Sequence, residues 1–102
     1  MTGAGAGIGR GIAGTLARFG ARVGVLELRP DTAHRTADEI VRAGGEAVAL
    51  PADARDPEAV AAALDVTAAR FGPVDILVNN AGGTFAASFL DSAPKGWHAL
   101  WR

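Results

Sequence analysis

With 102 residues, 49% of them apolar, the chain is long enough for at most one small domain and belongs with folded globular proteins rather than disordered ones. Its net charge of −1 gives no electrostatic reason to expect nucleic acid or an anionic membrane as a partner, and the absence of cysteine excludes a disulfide scaffold and thiolate metal ligands. No apolar run approaches the roughly 20 residues that span a bilayer and no signal peptide is visible, so we expect a cytoplasmic protein.

The chain begins with a glycine-rich stretch and a first predicted helix. Four apolar residues recur at helical spacing on one face of that helix: Ile8, Ile12, Leu16 and Phe19. Gly20 is placed to end the helix. Residues 22–28 are rich in valine and leucine and are bounded by turn formers, so they predict a short buried strand.

A second helix and a second strand follow. Asp31 can cap this helix, since aspartate is a preferred N-cap residue. The apolar stripe of the helix consists of Ala33, Ala37, Ile40 and Val41. Gly44 and Gly45 end the helix, and residues 47–50 predict the next strand.

The third helix has the clearest start, because Asp56 is a good N-cap and Pro57 suits the first helical position. The apolar residues Val60, Leu64 and Ala68 continue this helix, which is expected to end at Phe71 and Gly72. Residues 74–79 predict a third strand. A last helix is expected to begin near Pro94 and to continue at Arg102.

Strands that alternate with amphipathic helices indicate an α/β fold of the Rossmann-like, doubly wound type, with a parallel sheet and helices on both faces. Such sheets bind ligands at the carboxyl ends of their strands. The glycine-rich loop of such a fold follows a strand, whereas here it begins at residue 2 with no strand before it. We therefore expect an incomplete sheet that lacks its first strand.

Residues 2–9 (Thr-Gly-Ala-Gly-Ala-Gly-Ile-Gly) run directly into the first helix and are typical of a phosphate-binding turn. Glycines let the backbone approach a pyrophosphate, and the unpaired N–H groups at the helix N-terminus stabilise its charge. A literal Gly-x-Gly-x-x-Gly pattern occurs at residues 9–14, but it lies inside the predicted helix and is rejected, because the motif must precede the helix. The alternative interpretation of this start is a flexible tag or linker.

Glu27 supports the phosphate-binding interpretation. It lies at the end of the next strand, eighteen positions after Gly9, close to the roughly 20 expected for the acid that holds the adenosine ribose. A carboxylate there accepts two hydrogen bonds from a free ribose diol and repels a 2′-phosphate. The alternative is an ordinary glutamate that faces solvent.

The pattern Thr-Gly-x-x-x-Gly-x-Gly at residues 2–9, with Asn-Asn-Ala-Gly at residues 79–82, resembles the short-chain dehydrogenase/reductase family. Residues 71–78 (Phe-Gly-Pro-Val-Asp-Ile-Leu-Val) are also similar to that family. The resemblance covers essentially the whole chain, with both motifs in order and at family spacing. It implies an NAD(P)-dependent oxidoreductase that moves a hydride between nicotinamide and an alcohol/ketone pair and works as a homo-oligomer.

The resemblance also implies which residues bind the cofactor. Those that would wrap the pyrophosphate are Gly3, Gly5, Ala6, Gly7, Ile8 and Gly9. Glu27 matches the acid of the NAD-using members. Asp53 matches the aspartate that contacts adenine, with Ala54 where the family usually has valine or leucine. The turn beside the cofactor ribose is matched by Asn80, Ala81 and Gly82, while Asn79 is expected to brace the sheet.

The same resemblance favours NAD over NADP. Members that prefer NADP often carry a basic residue in the glycine loop or directly after the acid of the second strand. Ala6 and Leu28 occupy those places here. Arg29 lies nearby and could weaken the preference.

The residues that perform the chemistry of this family are missing. The family uses a tyrosine as general acid/base, a lysine four residues later that lowers its pKa, and a serine that polarises the carbonyl. The chain contains no tyrosine, and its lysine, Lys95, lies in the wrong region. No catalytic residue is predicted, and this chain alone is expected to be inactive.

Other chemical groups have simpler interpretations. The residue types of a hydrolase triad occur at Asp91, Ser92 and His98, but their proximity in sequence says nothing about geometry. Ser92 is expected to cap the last helix and His98 to face solvent. His34 has no second imidazole at ligand spacing, so no metal site is predicted. Trp97 and Trp101 are one helical turn apart and are expected to pack.

The sequence therefore predicts one partial NAD(P)-binding Rossmann domain over residues 1–102, the front part of an oxidoreductase without its C-terminal half. Two alternatives remain open: a non-catalytic dinucleotide-binding or interaction module, and a gene fragment without function. We expect the flanking DNA to encode a short strand upstream, and a serine and a Tyr-x-x-x-Lys pair downstream.

Overall fold

The computed structural model describes residues 1–84, 86, 88–91 and 93–101. Within these residues the elements, in chain order, are α1 (Gly7–Arg18), β1 (Arg22–Glu27), α2 (Pro30–Arg42), β2 (Glu46–Pro51), α3 (Pro57–Phe71), a 3-10 helix (Phe89–Asp91) and α4 (Pro94–Trp101). The predicted α/β fold is confirmed, because β1 and β2 are parallel and helices pack on both of their faces.

The two strands pair along their whole length, from Arg22 opposite Glu46 to Glu27 opposite Pro51. Successive side chains of β1 point to opposite faces. One face packs against α1 and α2 and contains Val23, Val25, Ala37 and Ile40. The other face packs against α3 and contains Leu26, Leu50 and Ala63. The central residues of β1 are buried because helices cover both faces of the sheet.

The predicted apolar face of α1 is correct only in its middle, where Leu16 packs against the core, and is wrong at its two ends. Ile8 and Phe19 are 80% and 87% exposed. The buried residues of α1 recur at four-residue spacing and are Gly9, Ala13 and Ala17. A Cβ on Gly9 would overlap the carbonyl oxygen of Gly3, so the helix begins in direct contact with the loop that precedes it. This close approach selects small residues for the contact between the helix and the loop.

Helix α2 packs on the same face of the sheet, and its buried residues are Thr32, Ala33, Thr36, Ala37 and Ile40. The prediction that Val41 belongs to this stripe is wrong, because Val41 is 54% exposed. Both buried threonines have hydrogen-bond acceptors. The Thr32 hydroxyl donates to the carbonyl of Arg29 at 3.0 Å, and the Thr36 hydroxyl donates to the carbonyl of Gly5 at 3.1 Å.

The helix starts differ in how they are capped. Asp56 caps α3 as predicted, since its Oδ1 accepts hydrogen bonds from the N–H groups of Glu58 at 3.0 Å and Ala59 at 3.3 Å. Asp31 does not cap α2, because the helix begins earlier and Arg29 holds the N-cap position. Asp31 lies in the first turn instead, where a negative charge is favourable, and pairs with Arg29 at 3.0 Å.

Residues 74–79 form no strand, so that prediction is wrong. A parallel strand needs a neighbour along its length, and here the neighbouring backbone is short. The N–H of Thr2 donates to the carbonyl of Val78 at 3.0 Å, and Thr2 also forms an isolated parallel bridge with Leu26. Residues 1 and 2 therefore link β1 to this segment at one end only.

The backbone groups of β1 alternate between two sides. The carbonyl of Glu27 accepts a hydrogen bond from Ala52 N–H at 3.0 Å on the β2 side. The backbone N–H and carbonyl groups of Val25 and Val23 therefore face β2 as well. On the other side, Leu26 N–H donates to the Met1 carbonyl at 3.0 Å, and the Met1 amino group donates to the Gly24 carbonyl at 2.9 Å. On the same side, Ala4 N–H donates to the Leu26 carbonyl at 3.3 Å, and the remainder of that outer edge of β1 is open among the described residues.

Candidate functional site

The residues predicted to bind a cofactor lie together at the carboxyl ends of β1 and β2. An open hollow of about 1480 Å³ lies there and continues along the outer edge of β1. The predicted residues that line it are Gly3, Ala6, Ile8, Gly9, Glu27, Asp53, Ala54, Asn80, Ala81 and Gly82. Gly5 is buried behind Glu27, and Gly7 lines a smaller groove between α1 and α2.

The loop before α1 has the geometry of an anion-binding turn. Gly3 and Gly7 have φ of +61° and +52°, which side chains other than glycine rarely adopt. Helix α1 begins at Gly7, and no side chain caps its start at Ala6. Because the first N–H groups of a helix have no partner inside the helix, the start of α1 has donors to offer to an anion.

Glu27 extends from the end of β1 across the loop. Its Oε2 accepts a hydrogen bond from Gly5 N–H at 3.1 Å, and its Oε1 accepts a longer one from Arg29 N–H at 3.4 Å. Glu27 forms no ion pair within the described part of the chain. The Arg29 guanidinium pairs with Asp31 instead and lowers the pKa of Asp31. The Glu27 carboxylate therefore lies beside the glycine loop with unused lone pairs and without a counter-ion among the described residues.

Asp53, by contrast, is neutralised by a neighbour that the sequence analysis missed. The Arg55 guanidinium contacts both carboxylate oxygens of Asp53, at 2.7 Å for the shortest pair. The Arg55 backbone N–H donates to Oδ1 at 2.9 Å. Hydrogen bonds from the Arg55 side chain are the largest cause that lowers the pKa of Asp53 to about 2. An arginine two residues after an aspartate in a turn is the signal that could have identified this pair.

Asn80 directly follows residues 74–79 and links this part of the chain to the glycine loop. Its amide nitrogen Nδ2 donates to the carbonyls of Thr2 at 3.2 Å and Gly3 at 3.0 Å. The backbone N–H groups of Asn80 and Ala81 both donate to the Thr2 hydroxyl at 3.0 Å. The bracing role predicted for Asn79 is therefore wrong: Asn80 makes these contacts, and Asn79 is exposed. We call this set of contacts the Thr2–Asn80 clasp.

The remaining candidates are a metal site and the residue types of a hydrolase triad. No group of three or more potential metal ligands occurs among the residues that the structure describes. His98 is exposed as expected, and Ser92, with its predicted cap, lies outside the described residues. Trp97 is 39% exposed, so packing covers only part of it. None of the helices in the described ranges is long and apolar enough to cross a bilayer.

Comparisons with known proteins place this arrangement among dehydrogenases. A family profile described as short chain dehydrogenase matches residues 1–102. Oxidoreductase UcpA of Escherichia coli K12 is 47% identical over 91 residues, which cover 89% of this chain and 34% of UcpA. The 7alpha-hydroxysteroid dehydrogenase of the same organism is 47% identical over 83 residues, which cover 81% of this chain and 32% of that enzyme.

Solved structures agree with the sequence comparison. A 7alpha-hydroxysteroid dehydrogenase complexed with NADH and 7-oxo glycochenodeoxycholic acid superposes with a TM-score of 0.91 at 41% identity, over 98% of this chain and 39% of that one. A short chain dehydrogenase from Mycobacterium avium gives a TM-score of 0.89 at 36% identity, over 97% of this chain and 37% of that one. The chain thus spans about a third of the length of these relatives.

Proposed function

This chain belongs to the short-chain dehydrogenase/reductase family, and on that premise we propose that it is the NAD-binding portion of an oxidoreductase acting on an alcohol/ketone pair. The observation that carries the proposal is the carboxylate of Glu27, which lies beside the glycine loop without a counter-ion in the described part of the chain. A free ribose diol offers this carboxylate two hydroxyl donors, whereas a 2′-phosphate offers it a second negative charge.

The described residues suit a dinucleotide at four of its parts. The uncapped start of α1 and the glycines before it suit the pyrophosphate. Glu27 suits the adenosine ribose. The groups that would border the adenine are Asp53 and Ala54, and those that would border the second ribose are Asn80, Ala81 and Gly82.

The nicotinamide ring supplies the hydride acceptor or donor when the cofactor is bound. The chain itself binds and orients. The backbone of residues 3–9 takes up the charge of the pyrophosphate, and the Thr2–Asn80 clasp holds that loop against the following turn. Adenine must compete with the Arg55 guanidinium for the Asp53 carboxylate, because that guanidinium contacts both carboxylate oxygens.

Calorimetric titration with NAD⁺ and NADP⁺ tests the proposal. We expect NAD⁺ to bind about ten- to hundredfold more tightly, since one well-placed charge contributes about 1–3 kcal/mol. Glu27→Gln should narrow this difference. The matched control is Glu46→Gln, which removes an exposed carboxylate at the opposite end of the strands and should leave both affinities unchanged.

The outcomes separate the parts of the proposal. Equal affinities for the two cofactors in the unmodified chain contradict the role of Glu27. Absence of binding by either cofactor contradicts nucleotide binding altogether. The relatives are about three times as long as this chain. For a whole protein of that length, we propose a small alcohol or ketone substrate and a homo-oligomeric state.

A further inference from the structure

Gly5 differs from the other glycines of the loop in the physical reason that its position needs a glycine. Gly3 and Gly7 have positive φ, and Gly9 touches the carbonyl of Gly3. The φ of Gly5 lies outside the left-handed region, so its backbone conformation suits other residues. A Cβ on Gly5 would lie 2.9 Å from both Cδ and Oε2 of Glu27, and closer still to Cγ. The side chain of Glu27 occupies the space that a side chain at position 5 would need.

The loop cannot retreat from such a contact. The carbonyl of Gly5 accepts the buried hydroxyl of Thr36 at 3.1 Å, which ties the loop to α2. The N–H of Ala4, a fully buried residue, donates to the carbonyl of Leu26 at 3.3 Å, which ties the loop to β1. Glu27 is only half-buried at the edge of the hollow. A methyl group at position 5 would therefore move Glu27 rather than the loop.

We infer that Gly5 is a specificity-determining position: the absence of a side chain there lets the Glu27 carboxylate lie across the loop, where Gly5 N–H fixes its Oε2. This inference rests on the proposed NAD binding. A side chain at position 5 forces Glu27 to rotate about its Cα–Cβ bond, which carries the carboxylate away. NAD⁺ then loses the acceptor for its ribose diol, and NADP⁺ loses the repulsion of its 2′-phosphate.

A double-mutant cycle with Gly5→Ala and Glu27→Ala tests this coupling by calorimetry with NAD⁺ and NADP⁺. Glu27→Ala removes the three atoms that would lie nearest to the new methyl group. We expect Gly5→Ala to reduce the NAD⁺ preference about tenfold in the unmodified chain and by no more than about twofold in the Glu27→Ala chain. The matched control is Gly11→Ala in α1, where an added Cβ meets nothing within 4 Å and both affinities should be unchanged.

A ligand-free measurement accompanies the cycle. Glu27→Ala removes the acceptor of Gly5 N–H, so the Gly5 amide proton resonance should move more than that of Gly11. An unmoved Gly5 resonance overturns the inference. So does a Gly5→Ala variant that weakens both cofactors equally in both backgrounds, because that result assigns Gly5 to the loop backbone. Binding of NAD⁺ with an unchanged preference in Gly5→Ala overturns this inference alone, whereas failure of the unmodified chain to bind either cofactor overturns the proposed function with it.

Discussion

Glu27 and Asp53 are two carboxylates at the same end of the sheet, and they differ in what surrounds them. Within the described ranges, Glu27 accepts hydrogen bonds from backbone N–H groups only and has no counter-ion. Asp53 is held by the Arg55 guanidinium. A ligand that brings hydroxyl donors thus meets a free acceptor at Glu27, while at Asp53 it must compete with an arginine.

This difference predicts the titration of Asp53. Its pKa lies near 2 instead of the usual 3.8, so the pair with Arg55 favours the folded chain above pH 3.8, and that contribution disappears as the pH falls through about 2. The contribution to stability is small because both side chains are partly exposed. We expect the Asp53 carboxyl resonance in carbon-13 NMR to titrate with a midpoint near 2.

Arg55→Gln should return that midpoint toward 3.8, because it removes the largest cause of the lowered pKa. Arg35→Gln changes an exposed arginine on α2 and serves as the control that leaves Asp53 unaffected. An unmodified chain in which Asp53 already titrates near 3.8 contradicts the pairing.

At the residue scale, sequence alone could identify Glu27, because its distance from the glycine loop is a short-range pattern. It could not identify what fixes Glu27. The bond from Gly5 N–H joins residues 22 positions apart, and the Thr2–Asn80 clasp joins residues up to 79 apart. Contacts over such separations depend on how the elements pack, and no local spacing encodes them.

Among the elements, the segment before the 3-10 helix depends most on a few contacts. Residues 74–80 lack strand pairing along most of their length, and the Thr2–Asn80 clasp holds their far end. Ile76 and Leu77 in this segment are 66% and 63% exposed. The position of the turn at residues 80–82 therefore depends on Asn80.

Asn80→Ala removes two of the clasp hydrogen bonds, and it should release this segment from the glycine loop. We expect chymotrypsin to cleave after Leu77 several times faster than in the unmodified chain, since cleavage follows local opening. Asn79→Ala is the matched control, because this neighbouring asparagine is exposed and its side chain forms no hydrogen bond with the residues that the structure describes. Equal acceleration by both substitutions means that the clasp does not restrain the segment.

An element could be predicted from the sequence when neighbouring residues determine it, and could not when contacts with distant residues decide it. The start of α3 is encoded locally by Asp56 and Pro57, and it was predicted correctly. The buried face of α1 is decided by how closely the helix approaches Gly3, so hydrophobic spacing pointed to Ile8 and Phe19 wrongly. Residues 74–79 have strand composition, but a strand also requires a partner backbone that lies beyond the segment itself.

For the whole molecule, the dinucleotide site that we propose contains neither the tyrosine nor the lysine that the family uses for proton transfer. The chain has no tyrosine, and Lys95 lies at the start of α4, far along the chain from the glycine loop. We therefore expect no hydride transfer by this chain alone. The measurement is absorbance of NADH at saturating cofactor with a panel of alcohols and ketones, against a blank without protein.

Turnover above that blank contradicts this expectation, provided that heat-denatured chain gives none. A chain that binds NAD⁺ yet turns nothing over agrees with a binding portion. Addition of a separate polypeptide bearing the family's serine and Tyr-x-x-x-Lys pair then distinguishes an oxidoreductase portion, which should gain activity, from a non-catalytic module, which should not.

The two-stranded sheet also predicts how the isolated chain unfolds. Val74, Ile76 and Leu77 are between 43% and 66% exposed, and one edge of β1 is largely open, so the apolar core is small. We expect a broad thermal transition, in which the loss of secondary structure by far-UV circular dichroism does not coincide with the change in tryptophan fluorescence. A single sharp transition with equal calorimetric and van't Hoff enthalpies contradicts this expectation.

The alternation of backbone groups along β1 has a consequence for amide hydrogen exchange. Val23 and Val25 N–H groups face β2 and are bonded there, and Leu26 N–H donates to Met1. Gly24 N–H points to the open edge and has no acceptor among the described residues. One strand should therefore contain slowly and rapidly exchanging amide protons side by side. We expect the amide proton of Gly24 to exchange much faster than those of Val23 and Val25, although Gly24 is buried.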